Sequence, residues 1–126
     1  MVPYAVAQDG RFILHVSGLA SHTRDMLDHP DVSLLITESE ASGKMPQALA
    51  RVTVQGRAKV LDRESQDYTV AREAYLSRFP DAASLFEFSD FRIVIATPVS
   101  ARIIAGFGKA GSMTGAEFVA ALSAPL

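Results

Sequence analysis

Hydroxyls, an imidazole and a guanidinium crowd into one short stretch of this chain, Ser17-Gly18-Leu19-Ala20-Ser21-His22-Thr23-Arg24. A strand ending near Ser17 and a helix opening near Ser21 leave the backbone N–H groups of the first helical turn free. Beside them stand the hydroxyls of Ser17, Ser21 and Thr23 and the permanent charge of Arg24, an anion cradle suited to a phosphate monoester. The plainer alternative is that Ser21 caps the helix, Thr23 packs and Arg24 is solvated. Three histidines, His15, His22 and His29, follow one another at intervals of seven. His15 falls on a strand, and His22 and His29 stand two helical turns apart, about 10.5 Å, too far for one shared ion. No metal site is expected, and each reads as an ordinary polar or capping residue. The hydroxyls beside His22 belong to no nucleophile elbow, so no catalytic residue is identified. Near the other end, Gly106-Phe107-Gly108-Lys109-Ala110-Gly111 lacks the Gly-Lys-Ser/Thr ending of a phosphate loop. It reads either as a flexible exit from a strand or as backbone approaching a planar ligand, with Lys109 offering charge.

The elements that would carry these residues follow from period and punctuation. Val2 to Ala7 and Phe12 to Ser17 read as strands joined through Gln8-Asp9-Gly10-Arg11, where Asp-Gly supplies the positive φ of a hairpin. From Leu19 the apolar period becomes helical, with Ser21 as the N-cap and Pro30 as the stop. Asp31 to Glu38 is a strand, followed by a loop over Ser39 to Pro46. Arg51 to Val60 alternates apolar and polar residues, with Gly56 marking a bulge or bend. Glu64 to Phe79 is a helix with Tyr68, Ala71, Tyr75 and Phe79 on one stripe, and Asp81 to Phe88 a further helical turn. Phe91 to Pro98 and Val99 to Ala105 read as two strands, and Thr114 to Leu122 as a terminal helix. Hairpins and short excursions favour an α+β fold built on a small antiparallel barrel over a parallel βαβ sheet.

The whole-chain balance narrows the function. The 126 residues, 48% hydrophobic and 21% charged, suit one globular domain over 1–126 rather than a disordered or membrane-spanning chain. Twelve basic against fourteen acidic residues give a net charge of −2, which disfavours a phosphate-tracking nucleic-acid surface. Cysteine is absent, excluding disulfides, thiolate metal sites and cysteine nucleophiles. The first ten residues hold no Lys or Arg, so neither a signal nor a transit peptide is read there, and a cytoplasmic location is expected.

Val2-Pro3-Tyr4, Ser17 to Asp25 leading to Asp28-His29-Pro30-Asp31 and Ser33-Leu34-Leu35, Arg51-Val52-Thr53-Val54-Gln55-Gly56-Arg57-Ala58, Asp90-Phe91 and Gly106-Phe107-Gly108-Lys109-Ala110 occur in that order. Together they resemble the pyridoxamine 5′-phosphate oxidase-like split-barrel superfamily, and within it the haem-utilisation branch. The resemblance implies an antiparallel Greek-key split β-barrel with short flanking helices, forming a homodimer with FMN in a cleft between protomers. It implies cofactor contacts from Ser17, His22, Thr23 and Arg24, and further ones from Arg51 and Lys109. The chain starts where such proteins already have a helix and a strand behind them. The expected function is that of an FMN-dependent oxidoreductase acting on a small molecule. The alternatives are a haem-binding or haem-degrading protein, with Asp90 assisting at the iron, and a catalytically silent interaction module. Related haem proteins carry a histidine just after the Gly-Phe-Gly-x-Ala run, where Gly111 stands here, so that route to an iron ligand is missing.

Overall fold

The computed structural model describes residues 2–37, 50–105 and 110–123. Its centre is a six-stranded antiparallel sheet in the order β1-β2-β5-β4-β3, with β6 also on β5. Here β1 is Ala5–Val6, β2 Phe12–Ser17, β3 Asp31–Thr37, β4 Ala50–Val60, β5 Phe91–Ala105 and β6 Ala110–Thr114. The run β3, β4, β5 is a meander, and β2 lies against the outer side of β5, which is a Greek key. Helices α1 (Ser21–Asp28), α2 (Gln66–Arg78) and α3 (Gly115–Ser123) and a 3₁₀ helix (Pro80–Glu87) flank the sheet. The expected α+β class and antiparallel architecture hold.

Period-two alternation along β2 sorts the core into its parts. Phe12 meets Val54, Ala96, Ala101 and Phe118 of α3, while Leu14 and Val16 meet Val94 and Met26 of α1. Ile13 turns the other way, onto Ile93, Ile95, Leu61 and the Ala71–Tyr75 stripe of α2. Both faces of β2 are therefore covered, and its five residues Phe12 to Val16 are all buried. The hairpin before it turns on Gly10 at φ 85, as the Asp-Gly pair requires. A side chain there would also run into Val119.

Local chemistry sets the element ends. Ser65 caps α2 by accepting from the Tyr68 N–H at 3.2 Å, and Asp67 and Arg78 complement the helix dipole at its two ends. Thr114 and Glu117 form a capping box on α3, with Thr114 Oγ1 accepting from Glu117 N at 3.1 Å and Glu117 Oε1 from Thr114 N at 3.2 Å. Ser21 departs from its expected role. Ala20 is the N-cap of α1, without a side-chain cap, and Ser21 is the first helical residue.

Two readings of the second half are corrected. Residues 91–105 form one strand, not two. The register shifts between Gln55 and Gly56, Gly56 pairs with Pro98 and Gln55 with Ser100, so the bulge absorbs Val99 and spares Pro98 a ladder bond it cannot make. Ala110 and Gly111, read as the end of a loop, belong to β6. The loop expected over Ser39 to Pro46 lies outside the described residues.

Candidate functional site

The stretch from Ser17 to Arg24 forms the turn from β2 into α1, and the hydroxyls of Ser17 and Thr23 are committed inside the protein, while Ser21 is exposed. Ser17 Oγ donates to Asp90 Oδ2 at 3.0 Å and accepts from the Leu19 N–H at 3.2 Å. Thr23, 1% exposed, donates through Oγ1 to the Ser17 carbonyl at 2.6 Å. The Gly18 N–H donates to the Asp90 carbonyl. A Cβ at Gly18 would lie 2.8 Å from that oxygen, so only glycine lets the two turns approach. A carboxylate thus stands where a phosphate was expected, and it repels an anion. Arg24 points to solvent and, among the described residues, has no ion pair. His22 lies in the first turn of α1, and its side chain is outside the described set.

The remaining expected residues do not join this turn within one chain. Arg51 pairs with Thr37 and Ile104 at the far end of β4, whereas α1 meets β4 at Ala58, whose N–H donates to the Pro30 carbonyl. Seven residues of strand separate Arg51 from Ala58, about 23 Å. Lys109 lies outside the described residues.

What the turn does meet is a second one, residues 88–91, held by two arginines. Arg63 Nη2 donates to the carbonyls of Phe88, Ser89 and Phe91, and Arg92 Nη1 to those of Ser89 and Phe91. Arg63 and Arg92 line one open cavity of about 330 Å³ with Asp62, Glu64 and Ser89. Among the described residues neither arginine stands in an ion pair.

Two residues before Ser17, on the same strand, is His15. It is 7% exposed and both ring nitrogens, Nδ1 and Nε2, are buried without a hydrogen-bond partner. Its ring stacks on Phe86 of the 3₁₀ helix at 3.8 Å and 8°, with Tyr75 edge-on at 5.7 Å and Phe91 at 5.0 Å. Burial, reinforced by the nearby Arg63 charge, lowers its pKa to about 4, so the imidazole is neutral at neutral pH. Burial likewise raises the Tyr75 phenol. Sequence reasoning passed His15 over as ordinary. The available signal was its place in the middle of the apolar run Phe12 to Val16, where a polar side chain has no wet face.

The fold is the split barrel of pyridoxamine 5′-phosphate oxidase-like proteins. The chain belongs to the CREG, beta-barrel family, whose profile matches residues 2–120. It is 33% identical over 130 residues to the chloroplastic heme oxygenase HOZ of Arabidopsis thaliana, covering 100% of this chain and 38% of that protein. It is 28% identical over 118 residues to the heme oxygenase HutZ of Vibrio cholerae, covering 93% of this chain and 66% of that one. A heme binding protein from Mycobacterium smegmatis superposes with a TM-score of 0.84 at 30% identity, over 94% of this chain and 48% of that chain. This chain therefore spans less than two thirds of the length of these relatives.

These likenesses overturn the flavin expectation. The relatives at this level are heme proteins, not flavin oxidoreductases, so FMN as cofactor and an FMN-dependent oxidoreductase as function are withdrawn. The geometry of the cradle agrees, because the Ser17 and Thr23 hydroxyls are spent on Asp90 and on the Ser17 carbonyl rather than aimed at a ligand. Among the described residues no helix is long and apolar enough to cross a membrane.

Proposed function

We propose that this protein binds haem, as the cargo or substrate of a haem-binding or haem-degrading domain. The observation that carries the reading is the combination of 30% identity with a TM-score of 0.84 to the Mycobacterium smegmatis heme binding protein. The donor set fits such a ligand. Ferric haem carries two carboxylates, and the chain offers cations at Arg24, Arg63 and Arg92. Haem bound to protein supplies the iron chemistry itself. The task of these residues is to hold the macrocycle, pair its carboxylates and keep bulk water from its face.

Titration of haemin into the purified protein, followed at the Soret band, tests this reading. Saturable binding near one haem per chain is expected, with FMN at the same concentrations giving none. Loss of the haemin signal into free and aggregated pigment, with no saturation, would overturn it.

The working unit in this proposal is a homodimer with the ligand between protomers, to which His22, Arg24, Arg51 and Lys109 contribute from the two copies, while Ser17 and Thr23 hold the turn that carries Arg24. Exposed Leu19, Leu27 and Leu35, at 70%, 61% and 63%, support a buried partner surface. Equilibrium sedimentation at micromolar protein should return twice the chain mass, and a monomer would refute the arrangement.

A further inference from the structure

Strand β3, Asp31–Thr37, ends one side of the sheet, and among the described residues it pairs with β4 alone. The Ala58 N–H donates to the Pro30 carbonyl, which fixes the phase of that ladder. Val32, Leu34 and Ile36 therefore turn their backbone groups toward β4, while Asp31, Ser33 and Leu35 turn theirs to the open side. Edges of this kind are ordinarily guarded by a lysine, a proline or a bulge. The run Asp-Val-Ser-Leu-Leu-Ile-Thr has none of these, and its only charge is Asp31 at the start. Its side chains alternate. Val32, Leu34 and Ile36 lie half-buried against the cluster of Phe12, Val54 and Phe118, whereas Ser33 and Leu35 are exposed, Leu35 at 63%.

We propose that two copies of this chain join along this edge, β3 pairing antiparallel with β3 of the second copy about a two-fold axis at Leu34. The proposal rests on the homodimer reading above and names the surface that makes it. A second copy is the occupant that fits, because in this register the strand is complementary to itself. Ser33 of each copy falls opposite Leu35 of the other, and these outward-facing pairs exchange about four backbone hydrogen bonds. On the inner face Leu34 meets Leu34 and Val32 meets Ile36, which carries the half-buried apolar layer of one copy into the next. On the outer face the two Leu35 side chains lie on a diagonal, about 8 Å apart and within reach of each other. Charge agrees as well. Asp31 of one copy falls opposite Thr37 of the other, whose neighbour on β4 is Arg51. Arg51 has no ion pair among the described residues of its own chain. Across the axis it stands two strand spacings, about 10 Å, from the backbone of Asp31, whose exposed carboxylate lies 3.6 Å from Arg57. Within one chain Arg51 and Arg57 are six residues of strand apart, about 20 Å. The second copy thus brings an unpaired cation to the acid of this face.

The chain has no cysteine, so single cysteines report on the pairing without background. Only a residue on the axis can bridge to itself. Leu34→Cys should give a disulfide-linked dimer under mild oxidation, because opposed residues of a non-hydrogen-bonded pair stand about 4.5 Å apart at Cα. Ser33→Cys and Leu35→Cys, each about 8 Å from its counterpart, should stay unlinked. Ser33→Pro removes an outward N–H that the ladder to β4 does not use, a position an edge strand tolerates. In sedimentation equilibrium it should weaken self-association about a hundredfold, with the circular dichroism of wild type. The cysteine variants decide the matter even where Ser33→Pro fails to fold. A wild-type chain that sediments as a monomer overturns both this proposal and the homodimer reading. A wild-type dimer with Leu34→Cys unlinked, with a bridge at 33 or 35 instead, or with folded Ser33→Pro dimerising as tightly, overturns the edge pairing alone.

Discussion

Ser17 and His15 stand two residues apart on β2, yet their surroundings are opposites. The hydroxyls of Ser17 and Thr23 both have partners, whereas neither nitrogen of His15 has one. The first is a polar junction that holds β2, α1 and the 88–91 turn together. The second is a polar group kept in an aromatic enclosure at a cost to stability. The difference teaches that a cluster of chemically capable side chains can be structural, while a lone polar group inside the core carries an unmet cost.

The sharpest way to break this contrast is acid. His15 has a folded pKa of about 4 against 6.5 for the ordinary imidazole, so the unfolded chain takes up its proton first. Stability is full above pH 6.5, falls as the pH drops from 6.5 towards 4, and loses nothing further from this group below that. The loss is about 3 kcal/mol at 1.36 kcal/mol per pKa unit. Denaturant unfolding at pH 7 and pH 4.5 measures it, and His15→Leu should remove most of the difference between the two curves. An unchanged pH dependence in that variant would place the acid sensitivity among the carboxylates instead.

At the partnered site the expected effects are smaller and run the other way. Thr23→Val removes the donor to the Ser17 carbonyl from a fully buried position and should cost about 1–2 kcal/mol in denaturant unfolding. Ser17→Ala, which leaves Asp90 Oδ2 half-exposed and without its donor, should cost about 1 kcal/mol. Arg24→Ala should change stability by less than about 0.5 kcal/mol, since its side chain is solvated. A large loss in that variant would mean that Arg24 belongs to the junction rather than to a ligand.

Local signals in the sequence carried most of the fold. The Asp-Gly turn, the alternation of Arg51 to Val60 around Gly56 and the Tyr68 to Phe79 stripe each mark an element within a few residues, and each appears where expected. What misled was also local. Pro98 suggested a break in the last long strand because the bulge that accommodates it is completed by Gly56, some forty residues earlier on β4. The site was legible only in half. Ser17 to Arg24 stand together in the chain and drew attention, but the groups that decide their role do not. Asp90 is 73 residues from Ser17, and the aromatic enclosure of His15 comes from Tyr75, Phe86 and Phe91.

The smallest expected effect on stability separates the two ends of β5. Gly111 on β6 pairs with Ile103, and a Cβ built there meets nothing within 4 Å. Glycine weakens a strand interior by leaving its backbone freer to unfold, so Gly111→His should hold stability level or raise it by about 0.5 kcal/mol. Its value lies in position. His15 pairs with Ile93, and Ile93 to Ile103 spans ten residues of β5, about 33 Å along the strand. An imidazole at 111 therefore lies far from the aromatic enclosure of His15 within one chain. If haem lies away from β6, Gly111→His should leave the ferric spectrum of the haemin complex as in wild type. If haem instead lies over β6, where the family resemblance implies a histidine, the new side chain should shift the Soret band and convert the iron to histidine ligation. That shift would place the ligand at the β6 end of β5, far from the unpartnered imidazole of His15.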